Sequence, residues 1–320
     1  MALKDLLVCV DPTVDSFLRL RLGVDLAARH ESRLTALFVT EWSRAQSDRH
    51  KAAEIGLVSA RGMRDLEQTI EATMQAAADR LRTALETLAR ERGVAAELRS
   101  VDGIASSVVP QHARYADLCI LGRDQPEGPA SIEYTFAEHL LFLTGRLVLF
   151  VPAVERLATL GRRILLAWNS SRPAARSLND ALPLIERAEH TTVLMINPFG
   201  FIDGRGAPPG EHMVEHLRRH SAVADAVRIE DVPHGAIADR LQAEANARGA
   251  DLIVAGAFGH PRLWEKMLGG VTYNLLTRMD LHVALTNYIV VAGLDPATHA
   301  EHRSGACWRE TDSPRIDSVL

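Results

Sequence analysis

The chain has 320 residues, 47% hydrophobic and 24% charged, a composition that suits two domains with buried cores and excludes a disordered chain. A formal net charge of -5 with interspersed signs excludes the clustered basic face of a nucleic-acid binder. The apolar runs are strand-sized, short of the roughly 20 residues that cross a bilayer, and Met1 to Val10 lacks a signal-peptide pattern, so a soluble cytoplasmic protein with no membrane partner is expected.

From the N-terminus, short apolar runs alternate with helical patterns. Strands are predicted at Leu6–Val10, Arg33–Val39, Ala96–Val101, Leu118–Leu121 and Leu147–Val151, with a helix between each pair and a long one after the second strand. Glu41–Arg64 is polar and irregular and reads as a loop or short helix. After a joint near Pro152–Gly161 the plan starts again. Strands are predicted at Ile164–Trp168, Thr191–Ile196, Ala226–Glu230, Leu252–Ala255 and Val283–Asn287. LLVCVDPT near the start aligns with ILLAWNSS, so that Asp11 corresponds to Asn169, and YADLCILGR from Tyr115 aligns with GADLIVAGA from Gly249.

Near-continuous apolar strands alternating with helices indicate parallel sheets covered on both faces. The predicted fold class is α/β: two tandem Rossmann-like open five-stranded parallel sheets, in domains 1–153 and 161–292, packed as an intramolecular pseudo-dimer. The fifth strands are apolar and would leave adhesive edges if unpaired, so they are expected to pair with each other. Residues 293–320 are polar and aperiodic and read as a disordered tail.

The segment GADLIVAGAFGHPRLWEKMLGGVT, residues 249–272, carries most of the functional information. A strand ends at Gly256; Gly259 follows, then the pair Gly269 and Gly270 ahead of Val271 and Thr272. Glycines in such a turn admit positive φ and let phosphates approach backbone amides, and a helix beginning after Gly269 favours an anion at its N-terminus. His260 and Arg262 are further candidate phosphate contacts, weighed against a solvated turn. In open α/β sheets a ligand sits outside the carboxyl ends of the strands at the switch in strand order, which here gathers Ala167, Trp168 and Asn169 with Ile196, Asn197 and the glycine segment. Trp168 is equally readable as a base-stacking side chain or as core filler.

This glycine spacing, together with ADLIV before it, GHPRL within it and the strand His282–Asn287 after it, resembles the nucleotide loop of the universal stress protein family in its tandem form. The resemblance implies an adenine nucleotide, ATP or ADP, in the second domain and a regulatory stress-response role rather than catalysis. It places Asn169 where ATP-binding members carry a ribose-contacting aspartate, and Ile196 and Asn197 near the adenine contact. Two departures stand out. Gly270 replaces the usual hydroxyl residue after the third glycine, and Asn169 brings no charge for a metal, which leaves magnesium open. The first copy keeps Asp11 but has Gln125 in place of the second glycine, and Asp11 reads as a helix cap there.

His212, His216 and His220 recur every four residues on one helix face, and they read as a solvated face rather than a metal site. Three cysteines, Cys9, Cys119 and Cys307, give neither a disulfide framework nor a zinc cluster. No P-loop, GxSxG elbow or HExxH pair occurs. Two other readings stay open: a degenerate interaction module that binds no nucleotide, and a weak ATPase. A homo-oligomer is compatible with all three.

Overall fold

The computed structural model describes residues 2–40, 60–123, 136–137, 140–152, 160–198, 209–257, 270–278 and 280–286. The first half runs β1 (Asp5–Val10), α1 (Asp15–His30), β2 (Arg33–Val39), α2 (Ala60–Arg92), β3 (Ala96–Val101), α3 (Ala105–Ala113), β4 (Leu118–Arg123) and β5 (Leu147–Pro152). The second half repeats it with β6 (Arg163–Ala167), α4 (Arg172–Ile185), β7 (His190–Ile196), α5 (Pro209–Arg219), β8 (Ala224–Ile229), α6 (Ile237–Ala247), β9 (Leu252–Gly256), α7 (Gly270–Arg278) and β10 (His282–Thr286). All ten predicted strands are present, their ends within two residues of expectation. Ala60–Arg64, expected in an irregular segment, instead opens α2. The rest of that segment, the tail 293–320 and the loop around Gln125 lie outside the described residues.

The strands form one sheet in the order β3-β2-β1-β4-β5-β10-β9-β6-β7-β8. Within each half every pairing is parallel, and the halves meet where β5 and β10 run antiparallel, with Val283 opposite Phe150 and Leu285 opposite Val148. The predicted pairing of the fifth strands is therefore found. It fuses the two expected five-stranded sheets into one, and the apolar strands come to lie at its centre. Every residue of β5 and β10 is buried.

Alternation along the strands divides the core into two layers. Leu6, Val8 and Val10 of β1, with Ile164 and Leu166 of β6, face a layer completed by α1, α2, α4 and α5. Leu7, Leu165, Ile253 and Val283 face the opposite layer, completed by α3, α6, α7 and the helical residues 140–143.

Two local devices repeat by the internal symmetry. The carboxylate of Asp117 accepts hydrogen bonds from the amides of Lys4 and Asp5, at 2.7 and 3.1 Å, and fixes the start of β1 against β4. Asp251 does the same for Arg162 and Arg163 at the start of β6, at 3.1 and 3.2 Å. Near the symmetry axis the guanidinium of Arg187 donates to the carbonyl of Arg29, its counterpart in the first half. Beside them His30 is buried, with Nε2 finding no partner among the described residues. Burial and the neighbouring charges of Arg29 and Arg187 lower its pKa from 6.5 to about 4.

Candidate functional site

In the second half β6 pairs with β7 on one side and β9 on the other, so the strand order reverses between β6 and β9. The carboxyl ends of these strands bring several predicted residues to one edge. Ala167 ends β6, Ile196 ends β7, Gly256 ends β9, and α7 begins at Gly270, as the glycine segment predicts. Ala167, Ile196 and Val271 are half-buried against the layer that holds α6 and α7, and form an apolar wall on that side. Thr272, in the first turn of α7, is buried. Gly259, His260, Arg262 and Gly269 lie outside the described residues.

The remaining predicted residues have internal duties. Trp168 packs into the opposite layer, among residues covered by α1, α2, α4 and α5, so it lies away from the wall made by Ile196 and Val271. Its Nε1 is buried with no acceptor among the described residues. The reading of Trp168 as core filler is the one its packing favours. Asn169 is exposed, and its Oδ1 accepts from the amide of Ser171 at 3.1 Å, the side-chain turn that leads into α4. Ser171 then caps that helix, accepting from the amide of Ala174 at 3.3 Å, with Pro173 in the first turn. Asn197 uses both ends of its amide on one residue. Nδ2 donates to the carbonyl of Val232 at 2.6 Å and Oδ1 accepts from its amide at 3.0 Å.

Gly256 has a packing reason for being glycine. A Cβ there would lie 2.5 Å from the carbonyl carbon of Pro173 and 2.9 Å from the Cα of Ala174, both backbone atoms of α4. The sequence reading assigned that missing side chain to an approaching phosphate; the space is instead filled by the start of α4.

A further feature of this edge lies in its backbone. Ser170, Asn197 and Asp231 have φ values of 59°, 47° and 59°, and they follow β6, β7 and β8. Left-handed backbone is uncommon for residues other than glycine and collects at ligand-binding turns. Asn and Asp tolerate it best, which is the signal that composition alone offered at two of the three.

The first half closes the equivalent edge differently. Arg19 is buried on α1 and reaches across the end of β1 to β4. Its Nε donates to the carbonyl of Cys9 at 3.2 Å, and its guanidinium pairs with Asp11 and donates to Ser16 Oγ at 2.8 Å. A Cβ on Gly122 would lie 2.7 Å from Arg19 Cζ, so this side chain covers the glycine that corresponds to Gly256. Burial alone would raise the Asp11 carboxyl. Arg19 and hydrogen bonds from Thr13 and Ser16 outweigh that and hold its pKa below the ordinary value. The helix-cap reading of Asp11 is not met: Val14 stands at the N-cap of α1 with no side-chain cap bond, and Asp11 instead holds the turn before the helix through Thr13 and pairs with Arg19.

On α5 and just beyond it, the rings of His216 and His220 lie 4.8 Å apart and Nδ1 of His220 is 3.6 Å from Glu186. Among the described residues no three His, Cys, Asp or Glu side chains are grouped to hold a metal.

Comparison with solved structures decides the architecture. The chain is similar to a universal stress protein from Archaeoglobus fulgidus DSM 4304, at 15% identity over 88% of this chain and 96% of that one, with a TM-score of 0.63. The fold is that of a tandem universal stress protein. A functionally unknown protein from Pseudomonas aeruginosa PAO1 is also similar, at 15% identity over 89% of this chain and 93% of that one, with a TM-score of 0.52. A universal stress protein solved in complex with cAMP spans 48% of this chain and all of its own length, at 16% identity and a TM-score of 0.33. At such identities the likeness is one of fold. No family model and no curated protein matches the chain. Among the described residues no helix is long and apolar enough to cross a membrane.

Proposed function

We propose that this is a universal-stress-protein-like regulatory protein that binds one adenine nucleotide, ATP or ADP, at the carboxyl edge of its second half. The observation that carries the reading is the placement of α7. It begins at Gly270, at the end of the glycine segment and beside the β6–β9 switch point, where its free amides and dipole favour a phosphate. Ala167, Ile196 and Val271 supply an apolar surface for a base, and the left-handed turns at Ser170, Asn197 and Asp231 shape the rim. The chemistry asked of the protein is holding, with no proton transfer or group transfer. The internal hydrogen bonds of Asn169 and Asn197 and the packing of Trp168 support the second reading, an interaction module that has kept the fold without the ligand.

Calorimetry of the whole chain with ATP and ADP separates the two. Saturable binding of one nucleotide per chain is expected, with loss in Gly259→Val. Gly270→Ser, which restores a hydroxyl, should tighten it by about 1 kcal/mol. No heat and no thermal shift at millimolar nucleotide would favour the interaction module. Turnover of ATP is expected to be negligible, and multiple turnovers per minute abolished by Gly259→Val would show an enzyme instead.

A further inference from the structure

The junction between the halves gathers more positive charge than its carboxylates balance. Arg29 and His30 close α1, and the guanidinium of Arg187, just past the end of α4, donates to the carbonyl of Arg29 and so caps α1 from the other half. Arg162 precedes β6 and follows Gly161, where the chain enters the second half. Arg29 reaches this turn: a Cβ on Gly161 would lie 3.8 Å from its Nη2. The nearby carboxylates are committed elsewhere. Asp251 accepts from the amides of Arg162 and Arg163, Glu189 holds the Arg162 guanidinium with Nε at 2.8 Å, and Asp25 is held by Arg92 at 2.9 Å.

Two nitrogens at this junction are buried and have no partner among the described residues, Nε of Arg29 and Nε2 of His30. His30 is 4% exposed and Arg29 is half-buried. Burial is the largest influence on the Arg29 guanidinium and pushes its pKa down; Asp251 works against this, and the charges of Arg187 and Arg162 add to it. A guanidinium withdrawn from water without a hydrogen-bonded counter-charge is costly, whereas one that meets an oxyanion through its fork makes a strong, directional pairing. Arg187 and Arg162 are exposed, so the junction is reached from solvent.

We propose that Arg29, with His30 and Arg187, holds the tetrahedral oxyanion of a phosphate group at the junction of the two halves. The fork of Arg29 presents Nε and an adjacent Nη to two oxygens. Nε2 of a neutral imidazole donates to an oxygen or accepts from a P–OH, and phosphate near neutral pH offers both. Arg187 supplies further charge from the solvent side. The site lies at the amino ends of β6 and β9, the opposite edge from Ala167, Gly256 and the start of α7, so it does not rest on the nucleotide reading.

Thermal melting of the full chain near neutral pH, with inorganic phosphate compared against sodium chloride at matched ionic strength, tests this. Phosphate at about 10 mM is expected to raise the melting temperature by a few degrees beyond chloride, since an ion bound only to the folded chain stabilises it by mass action. Arg29→Met should weaken binding about tenfold, and Arg29→Lys, which keeps the charge and loses the fork, about threefold. The ring nitrogens of His30, assigned in NMR spectra by their loss in His30→Ala, should shift as phosphate is added. Gly259→Val, at the other edge, should leave the phosphate effect unchanged. Phenyl phosphate separates the sources: an equal effect marks a site for phosphate esters, and none marks a site for the free ion. Equal melting shifts in phosphate and chloride, a phosphate shift that survives undiminished in Arg29→Met, or one lost in Gly259→Val overturns the proposal.

Discussion

The two halves close the same gap at the switch point by different means. In the second half the backbone of α4 itself rests against Gly256, and Ser177 Oγ on that helix accepts from the amide of Thr286 at 3.1 Å at the end of β10. In the first half the residue equivalent to Ser177 is Arg19, and its long side chain fills the space over Gly122. A backbone contact tolerates no added atom, whereas a side chain can swing aside at the cost of its hydrogen bonds. Identical topology therefore leaves one edge formed by main chain and the other by a buried arginine paired with a half-exposed aspartate.

Substituting the two glycines tests that difference most directly. Gly256→Ala must displace the backbone of α4 and is expected to cost about 3 kcal/mol by urea denaturation, against about 1 kcal/mol for Gly122→Ala, where the guanidinium can shift. Equal costs would mean that Arg19 is as immovable as a helix.

His30 has Ala188 as its counterpart, so at this position acid sensitivity is expected from the first half only. Its folded pKa is depressed to about 4, below the ordinary 6.5. The unfolded chain thus takes up the proton first. This contribution to stability is full above pH 6.5, falls as the pH drops toward 4, and amounts to about 3 kcal/mol in total. In His30→Ala the stability difference between pH 7 and pH 4.5 should shrink by most of that amount. A curve parallel to that of the natural chain would place the acid-sensitive group elsewhere.

The paired carboxylates at the strand starts should differ less. Asp251 is 7% exposed and Asp117 more so, and bonds to a buried carboxylate are lost without compensation from water. Asp251→Ala is expected to cost about 2 kcal/mol and Asp117→Ala about 1 kcal/mol, measured by the same denaturation. Reversal of that order would show that burial is not what separates them. The smallest effect is expected from a chelator. If the face bearing His212, His216 and His220 holds no metal, the melting temperature should not move, and a fall of several degrees reversed by zinc would prove otherwise.

The inner strands are legible in the sequence because they are buried on both faces and read as near-continuous apolar runs between turns, whereas the edge strands β3 and β8 are only partly buried and mix in polar residues. The β5–β10 seam is legible for the same reason: two apolar strands with no other cover must find each other. The start of α2 is not, since a stretch with few apolar residues, such as Ala60–Arg64, has the composition of a loop. At the site the signal is ambiguous in kind. A glycine that admits a phosphate and one that admits a helix backbone look alike, which is how Gly256 came to stand with the phosphate contacts. Arg19 is invisible because an arginine in an amphipathic helix normally faces water, and its burial depends on Asp11 and Gly122 converging from other strands. Asn169, Asn197 and Trp168 sit at the expected edge; Asn169 turns to Ser171 two residues on, while the directions of Asn197 and Trp168 are settled by neighbours far away in sequence.

The antiparallel seam between β5 and β10 also changes how the molecule responds to dilution. Two separate chains joined only by such a strand pair would part as their concentration fell, and their edges would be exposed at trace abundance. Here Pro152 and Leu160 belong to one polypeptide, so each half meets the other at an effective concentration on the order of millimolar whatever the number of copies in solution. The seam should hold at a handful of molecules as firmly as at saturation.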